Sequence, residues 1–270
     1  AFSPDGQHVV TASLDMTTKL WNVVAGKCLH TLQGHEGKVT SAAFSPDCKK
    51  VVTASSDRTA KLWDAASGEC LHTLQGLEYD YHERAVNSAA FSPDGQQVIT
   101  ASLPAKLWDA ASGECLHALE GHDDLEWAVK SAAFSPDGQQ VVTASHDGTA
   151  KLWDAASGEC LHTLEGHEDW VTSAVFSPDG QQVATGSNDA TAKLWDTAFG
   201  ECLHTLVHSF CPDRHDCVKS VAFSPDGRQV ATTSGDGTAK LWDAISGKCL
   251  RRFSSCYSGF VFQGPFSAIG

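Results

Sequence analysis

The chain lacks any apolar run near the roughly 18 residues that a membrane-spanning helix requires, and its first residues show no charged-then-apolar leader pattern. Its only methionine is Met16, and residue 1 is alanine. We therefore expect a processed chain or a piece of a longer one, in which a missing targeting signal carries no weight. Basic residues are scarce: 19 Lys and Arg stand against 33 Asp and Glu, a formal net charge of −14. A surface of that sign repels phosphate backbones, so nucleic acid is not an expected partner and a basic segment is. No stretch sustains a helical apolar period. No serine sits in a G-x-S-x-G elbow, and no glycine-rich phosphate loop is present.

What the chain has instead is repetition. "AKLWDAASGECLHTL" begins at Ala60 and again at Ala150, with a near copy at Ala105. The Phe of "FSPD" falls at Phe2, Phe44, Phe91, Phe134, Phe176 and Phe223. A Trp follows each, at Trp21, Trp63, Trp108, Trp153, Trp195 and Trp242. A period of this size belongs to repeat architectures. Each copy holds four strand-like runs rich in Val, Thr, Phe and Trp, here called strands a to d, parted by turn residues. In "SPDG" the proline sets φ, the aspartate caps its own backbone, and the glycine takes positive φ. The expected fold is all-β: a β-propeller of four-stranded antiparallel blades. Residues 1–253 form it, with blades at about 1–33, 34–75, 76–119, 120–164, 165–206 and 207–253. Residues 254–270 are a tail outside the repeat.

These residues resemble the WD40-repeat family over nearly the whole chain. "LWD" ends the third strand in five copies and "LWN" does so at Trp21–Asn22. "GH" precedes the first strand at Gly34–His35, Gly121–His122 and Gly166–His167. The resemblance implies buried tetrads of His, Thr, Asp and Trp. By position they are His35, Thr53, Asp57 and Trp63; His122, Thr143, Asp147 and Trp153; His167, Thr185, Asp189 and Trp195; and His208, Thr232, Asp236 and Trp242. The first copy keeps Thr11, Asp15 and Trp21. The third departs. Leu77 stands in the His position, "ASLPAKLW" is two residues shorter than "ASSDRTAKLW", and only Thr100 and Trp108 remain. That blade is expected to be the least rigid. The family's rings most often have seven blades, so the chain is read as six blades of seven, with a closed six-bladed ring as the alternative.

The repeat absorbs most of the chemistry-bearing side chains. His30, His72, His117, His162 and His204 share one outer-strand position. His8, His82, His146 and His215 fall outside it and outside the tetrads. Cys28, Cys70, Cys115, Cys160, Cys202 and Cys249 recur once per copy, and are expected to be small buried thiols too far apart to pair. Such thiols suit a reducing compartment, hence an intracellular location, cytoplasmic or nuclear. Cys48 replaces the glycine of an "SPDG" turn and is expected on the surface. One cluster escapes the template: Cys211, His215 and Cys217, with Asp213 or Asp216, could ligate zinc, but the spacing matches no strong signature. An ordinary loop is the expectation there, a Cys211–Cys217 disulfide being a further alternative. No metal and no cofactor is expected. The recurring Asp5, Asp47, Asp94, Asp137, Asp179 and Asp226 read as turn formers rather than acids or bases.

The copies differ mainly in one place. From Phe to Trp is 19 residues, except 17 in the third copy, and from Trp to the end of strand d is always 11. The d-to-a connections vary, spanning 12, 17, 15, 12 and 17 residues. In an antiparallel blade the b–c and d–a connections emerge on one face. That face therefore carries every length change, as a tuned binding surface on a rigid scaffold would. Its loops hold acids and aromatics: Tyr79, Tyr81, Asp123, Asp124, Trp127, Asp169 and Trp170 are the candidate partner-binding residues. Acidic loops favour a Lys- or Arg-rich partner. The reading is a non-enzymatic scaffold that docks proteins or peptides, as a monomer or within a larger complex, and with no nucleic-acid or membrane role. Two alternatives stay open. One is a regulatory module of a larger signalling protein whose catalytic part lies elsewhere. The other is a propeller enzyme with an axial metal site.

Overall fold

A computed structural model describes residues 1–75, 85–122, 129–208 and 217–254. They form 23 strands and no helix. The first copy supplies β1 (His8–Ala12), β2 (Thr18–Asn22) and β3 (Lys27–Leu32). The second supplies β4 (Val39–Phe44), β5 (Lys50–Ser55), β6 (Thr59–Asp64) and β7 (Cys70–Gln75). The third supplies β8 (Ser88–Phe91), β9 (Gln97–Ala101), β10 (Ala105–Asp109) and β11 (Cys115–Leu119). The fourth has β12 (Val129–Phe134), β13 (Gln140–Ser145), β14 (Ala150–Asp154) and β15 (Cys160–Leu164). The fifth has β16 (Val171–Phe176), β17 (Gln182–Ser187), β18 (Thr191–Asp196) and β19 (Cys202–Val207). The sixth has β20 (Val218–Phe223), β21 (Gln229–Ser234), β22 (Thr238–Asp243) and β23 (Cys249–Ser254). Each copy makes one antiparallel sheet in chain order. Five have four strands, and the first has three, with Phe2 bridging Val9 beside it. The all-β class and the one-sheet-per-copy architecture are as expected from the repeat.

Local chemistry sets these sheets. In the second copy Ser45 Oγ donates to Asp47 Oδ1 at 2.6 Å, and Lys49 N donates to the same oxygen at 3.0 Å. These bonds hold the Asp47 carboxyl below the usual carboxylate range and close the a–b turn. The c–d turn repeats the device: Asp64 Oδ1 accepts Ala66 N at 3.0 Å and Ser67 N at 2.7 Å. A bulge between Leu62 and Trp63 sets Trp63 opposite Cys70, and the same Leu-then-Trp shift occurs at the c–d pairing of each of the other five sheets. The second strand of each sheet from β5 onward is buried almost throughout.

The residues divide into two compact units: Ala1–Phe134 with Ala155–Gly158, and Ser135–Asp154 with Glu159–Gly270. Within the first, Val10, Leu20 and Leu32 of the first sheet pack on Phe44, Val51 and Trp63 of the second. Val52, Leu62 and Leu74 then pack on Val98 and Trp108 of the third. Within the second unit, Leu194 and Leu206 meet Phe223, Val230 and Trp242. The contact between successive sheets therefore has two fixed halves. A Leu–Leu face on one sheet meets a Val–Trp face on the next.

The outer-strand histidines complete that contact at the rim. In the first unit His30 Nε2 reaches Ala66 O, His72 Nε2 reaches Ala111 O and His117 Nε2 reaches Ala156 O, each at 2.9 Å. In the second, His162 Nε2 reaches Ala198 O at 3.1 Å and His204 Nε2 reaches Ile245 O at 2.7 Å. A carbonyl only accepts, so Nε2 carries the proton in all five. Each ring lies over the glycine of the next c–d turn. A Cβ on Gly113, which has φ +74°, would sit 2.8 Å from the His72 ring.

One inter-sheet site breaks the pattern in a compensated way. Gly186 stands in β17 where other copies carry Ala54, Ala101 and Ala144. A Cβ there would lie 2.8 Å from Val218 Cγ1 and 3.1 Å from Val221 Cγ1. Val221 in turn replaces the alanine of Ala42, Ala89, Ala132 and Ala174. Overpacking of this kind costs about 1–3 kcal/mol. We expect Gly186→Ala to destabilise by about 2 kcal/mol, and Val221→Ala in the same chain to recover part of it. Urea unfolding of the two single variants and the double variant measures the coupling, and strictly additive losses would contradict it.

Two expectations are corrected. The six repeat cysteines are exposed, not buried. Each lies at the start of the outermost strand, at the bulge opposite Trp. Its thiol donates to the carbonyl two residues on, as Cys28 Sγ does to His30 O at 3.3 Å. Cys48, expected on the surface, is half-buried and sits at φ +60°. A side chain in the left-handed region costs about 1 kcal/mol, so Cys48→Gly should raise stability by about that much in thermal unfolding.

Candidate functional site

The b–c turns are built on an Asp-x-Thr frame. In the second copy Asp57 Oδ1 accepts Thr59 N at 2.9 Å and Thr59 Oγ1 at 2.7 Å. The middle residue is forced to positive φ: Met16 at 70°, Arg58 at 71° and Ala190 at 65°, with Gly148 and Gly237 at the same place. Asp57 Oδ2 also accepts Glu36 N at 2.9 Å. One carboxylate thus ties a b–c turn to the d–a connection that leads into the same sheet.

The tetrad histidine sits behind that carboxylate. His35 Nδ1 lies 2.7 Å from Asp57 Oδ2, and its Nε2 lies 2.7 Å from Thr53 Oγ1. Trp63 Nε1 donates to Thr53 Oγ1 at 2.9 Å. Since a carboxylate only accepts, Nδ1 carries the proton and the Thr53 hydroxyl donates to Nε2. The fifth copy repeats this with His167–Asp189 and His167–Thr185 at 2.8 Å each, and Trp195 Nε1 to Thr185 Oγ1 at 2.8 Å. In the sixth, His208 Nε2 contacts Thr232 Oγ1 at 2.5 Å, Trp242 Nε1 donates to that oxygen at 2.8 Å, and Asp236 Oδ1 accepts Thr238 N at 2.8 Å. In the fourth, Trp153 Nε1 donates to Thr143 Oγ1 and Asp147 Oδ1 accepts Thr149 N, both at 2.8 Å, while His122 is buried.

A hydroxyl, an imidazole and a carboxylate in series have the order of a hydrolytic triad. Here Thr53 and Thr185 are fully buried, and an indole N–H already occupies each hydroxyl oxygen. No substrate carbonyl can reach them. Burial depresses the His35 and His208 pKa values, His208 to about 4, where nearby Lys240 adds to the effect. The Asp57 and Asp189 carboxyls lie below the usual range despite burial, because Thr, His and backbone N–H groups bond the ionised form.

The third copy shows the frame with its parts missing. Trp108 Nε1 still donates to Thr100 Oγ1 at 3.0 Å. In place of the Asp-x-Thr turn, Ser102 Oγ donates to Pro104 O at 2.7 Å. Amide exchange is expected to be faster at Ser102–Ala105 than at Ser145–Ala150. Equal protection would contradict a structural role for the tetrad carboxylate.

Among the candidate contact residues, Tyr79, Tyr81, Asp123, Asp124 and Trp127 lie outside the described residues. Asp169 and Trp170 are described. Asp169 is exposed, and its Oδ1 accepts Trp170 N at 2.7 Å. Ser187 Oγ donates to Asp169 O at 2.9 Å, and Asn188 N donates to Trp170 O at 2.9 Å, fixing the loop against the neighbouring turn. Trp170 is half-buried and stacks on His146, with centroids 3.9 Å apart and planes at 12°. His146 stands in the b–c turn of the fourth copy, so a d–a loop and a b–c turn join in one aromatic platform. Glu168 and Asp169 are exposed beside it. Sequence reasoning did not connect His146 with this site. The available signal was that the residue before the turn Asp differs in every copy that has one: Leu14, Ser56, His146, Asn188 and Gly235.

Among the described residues no three His, Cys, Asp or Glu side chains gather where a metal ion could sit, and no helix is long and apolar enough to cross a membrane. Cys211, Asp213, His215 and Asp216 lie outside the described residues, while Cys217 is half-buried.

Comparison with known proteins places these features. The family model for the WD domain, G-beta repeat, matches residues 1–22, 26–64, 68–109, 113–154, 158–196 and 200–243. The chain is similar to human WD repeat-containing protein 86, with 50% identity over 40 residues, 15% of this chain and 11% of the relative. It is also similar to the Periodic tryptophan protein 2 homolog of Dictyostelium discoideum, with 46% identity over 41 residues, 15% of this chain and 4% of the relative. The matched segments thus span about one repeat, a small part of either relative. With six matched repeats, each folded as its own antiparallel sheet, the chain belongs to the WD40-repeat family.

Proposed function

We propose that this chain is a non-enzymatic scaffold that docks partner proteins or peptides on the face carrying the d–a and b–c connections. WD40 domains generally bind other proteins, and members of the family are generally non-catalytic. The observation that carries the reading is the Trp170–His146 platform beside exposed Glu168 and Asp169. An aromatic anchor ringed by acids offers both burial and charge to a Lys- or Arg-rich segment. The overall charge of −14 favours the same class of partner. Tyr79, Tyr81, Asp123, Asp124 and Trp127, in the sequence leading into the third and fourth sheets, are the further contact candidates in this reading. Six exposed, unpaired thiols suit a reducing, intracellular compartment.

Anisotropy titration of a fluorescent Lys/Arg-rich peptide tests the docking face. Trp170→Ala should weaken binding about tenfold, the loss expected at an interface anchor. Asp169→Lys should weaken it too and reduce its salt dependence. Phe199→Ala, at an exposed c–d turn, should leave it unchanged. Equal losses at Trp170 and Phe199, or no peptide binding, would overturn the assignment of the face.

A further inference from the structure

The near-identity of the copies makes a departure from the repeat legible. At the end of the sheets opposite the Trp170 platform, the a–b and c–d turns of the fifth and sixth copies carry four such departures. Phe199 stands in the place of Ser67, Ser112, Ser157 and Ser246. Ile245 takes the place of Ala66, Ala111, Ala156 and Ala198. Lys248 replaces Glu69, Glu114, Glu159 and Glu201, and Arg228 replaces Gln96, Gln139 and Gln181. Phe199 is 73% exposed and Ile245 is 78% exposed, and Lys248 and Arg228 are exposed too. All of the counterparts just named are exposed as well, so exposure belongs to the turns themselves. Ser, Ala, Glu and Gln serve the same turns in those copies, so the fold requires none of the four departures.

The backbone draws the four together. Arg228 O accepts Ala244 N and Lys248 O accepts Asp243 N, each at 2.9 Å, so both cationic residues flank one dipeptide. Ile245 follows that dipeptide directly. Its carbonyl lies 2.7 Å from His204 Nε2, and His204 is on β19, the strand that the Phe199 turn leads into. Phe199 N in turn donates to Asp196 Oδ1 at 2.9 Å. The acids of the sixth copy's turns are engaged locally. Asp226 Oδ1 accepts Ser224 Oγ at 2.6 Å and Arg228 N at 3.1 Å, and Asp243 Oδ1 accepts Ser246 Oγ at 2.6 Å and Ser246 N at 2.8 Å. In the first copy Lys27 is matched with Gln7, and in the second Lys49 is matched with Glu69. Only the sixth copy sets a cation at both positions. The sign of the charge changes with it: residues 165–206 hold seven Asp and Glu against one Lys, whereas residues 207–253 hold five against seven Lys and Arg.

We infer that these turns form a second docking surface, for an acidic peptide segment that carries apolar side chains. Phe199 and Ile245 cover the apolar side chains, and Arg228 and Lys248 pair with the carboxylates. Exposed ion pairs are individually weak. Affinity therefore comes from covering the two apolar residues, while charge selects the segment and speeds its arrival. This partner is opposite in charge to the one proposed for the Trp170 platform. The two surfaces lie at opposite ends of the sheets, so an acidic and a basic segment do not compete.

An array of peptides that combine Asp and Glu with Leu, Ile or Phe at varied spacing, probed with the parent chain, tests the inference. A net charge of −14 repels acidic peptides in general, so any that are retained report a local surface. Members of the array should be retained, and the tightest is then titrated by fluorescence anisotropy. Arg228→Gln with Lys248→Glu restores residues that other copies use, as does Phe199→Ser with Ile245→Ala, so both double variants should fold as the parent does by circular dichroism. Each should weaken binding about tenfold, or about 1.4 kcal/mol. The first should also reduce the salt dependence of binding, and the second should leave it in place. Trp170→Ala should leave binding unchanged. An array with no retained peptide would overturn the inference. Double variants that bind like the parent, or a loss with Trp170→Ala as large as theirs, would do so too.

Discussion

Replacing Asp189 by alanine should lower the unfolding free energy by about 3–4 kcal/mol, the loss expected when one partner of a buried ionic network is removed. The carboxylate accepts four bonds: from His167 Nδ1 at 2.8 Å, Glu168 N at 3.0 Å, Thr191 N at 2.8 Å and Thr191 Oγ1 at 2.7 Å. Alanine leaves buried donors unsatisfied, and His167 loses the group that orients it toward Thr185. Each orphaned group costs about 1–3 kcal/mol, partly offset where water can enter. Asp179→Ala is the control. It removes bonds from Ser177 Oγ and Gln181 N in an exposed turn and should cost about 1 kcal/mol. Urea unfolding at pH 7 separates the two. Equal losses would mean that the tetrad carboxylate is no more than another turn former.

Acidification should destabilise the chain in two stages. The folded pKa of His208 is lowered to about 4, against an ordinary value of 6.5. Between those values the unfolded chain takes up a proton that the folded chain refuses. The contribution of His208 is therefore full above about pH 6.5 and lost as pH falls toward 4, amounting to roughly 3 kcal/mol. His35 shifts in the same direction for the same first cause, burial. Asp57 and Asp189, held below their ordinary value of 3.8, contribute stability that is present above that value and lost below it. Urea midpoints measured from pH 7 to pH 4 should fall steadily. His208→Gln should flatten part of that slope while lowering stability at pH 7. An unchanged slope in His208→Gln would contradict the assignment of the first stage.

Much of the fold was legible because every copy states it again. One Phe-to-Trp interval and one Trp-to-strand-d interval are enough to set strand order, and the sheets follow them. The third copy's two-residue deficit marked its altered b–c turn. Other features were hidden because they depend on the copy next along. Cys28 and its equivalents look like core thiols by residue type, yet the bulge puts them on an edge strand facing outward. The histidine clasps join a strand of one copy to a turn of the next. Their signal, a His in one copy followed by a "G-[EK]-C" glycine in the next, was present but had no meaning within a single sheet. The Gly186–Val221 exchange is visible only when adjacent copies are compared position by position. His146 was passed over because an unrepeated histidine in a turn carries no pattern. Its role comes from Trp170, 24 residues on.

The measurement that bears most directly on the docking account is a paired capture experiment from lysate of the source cell. One bait is the parent chain, and the other carries Tyr81→Ala, Trp127→Ala and Trp170→Ala, both first shown to be folded. The account predicts that specific partners with Lys- or Arg-rich segments are captured by the parent and lost by the variant. Identical partner sets on the two baits would contradict it, leaving these aromatics as architecture and placing any docking on the c–d face or the rim.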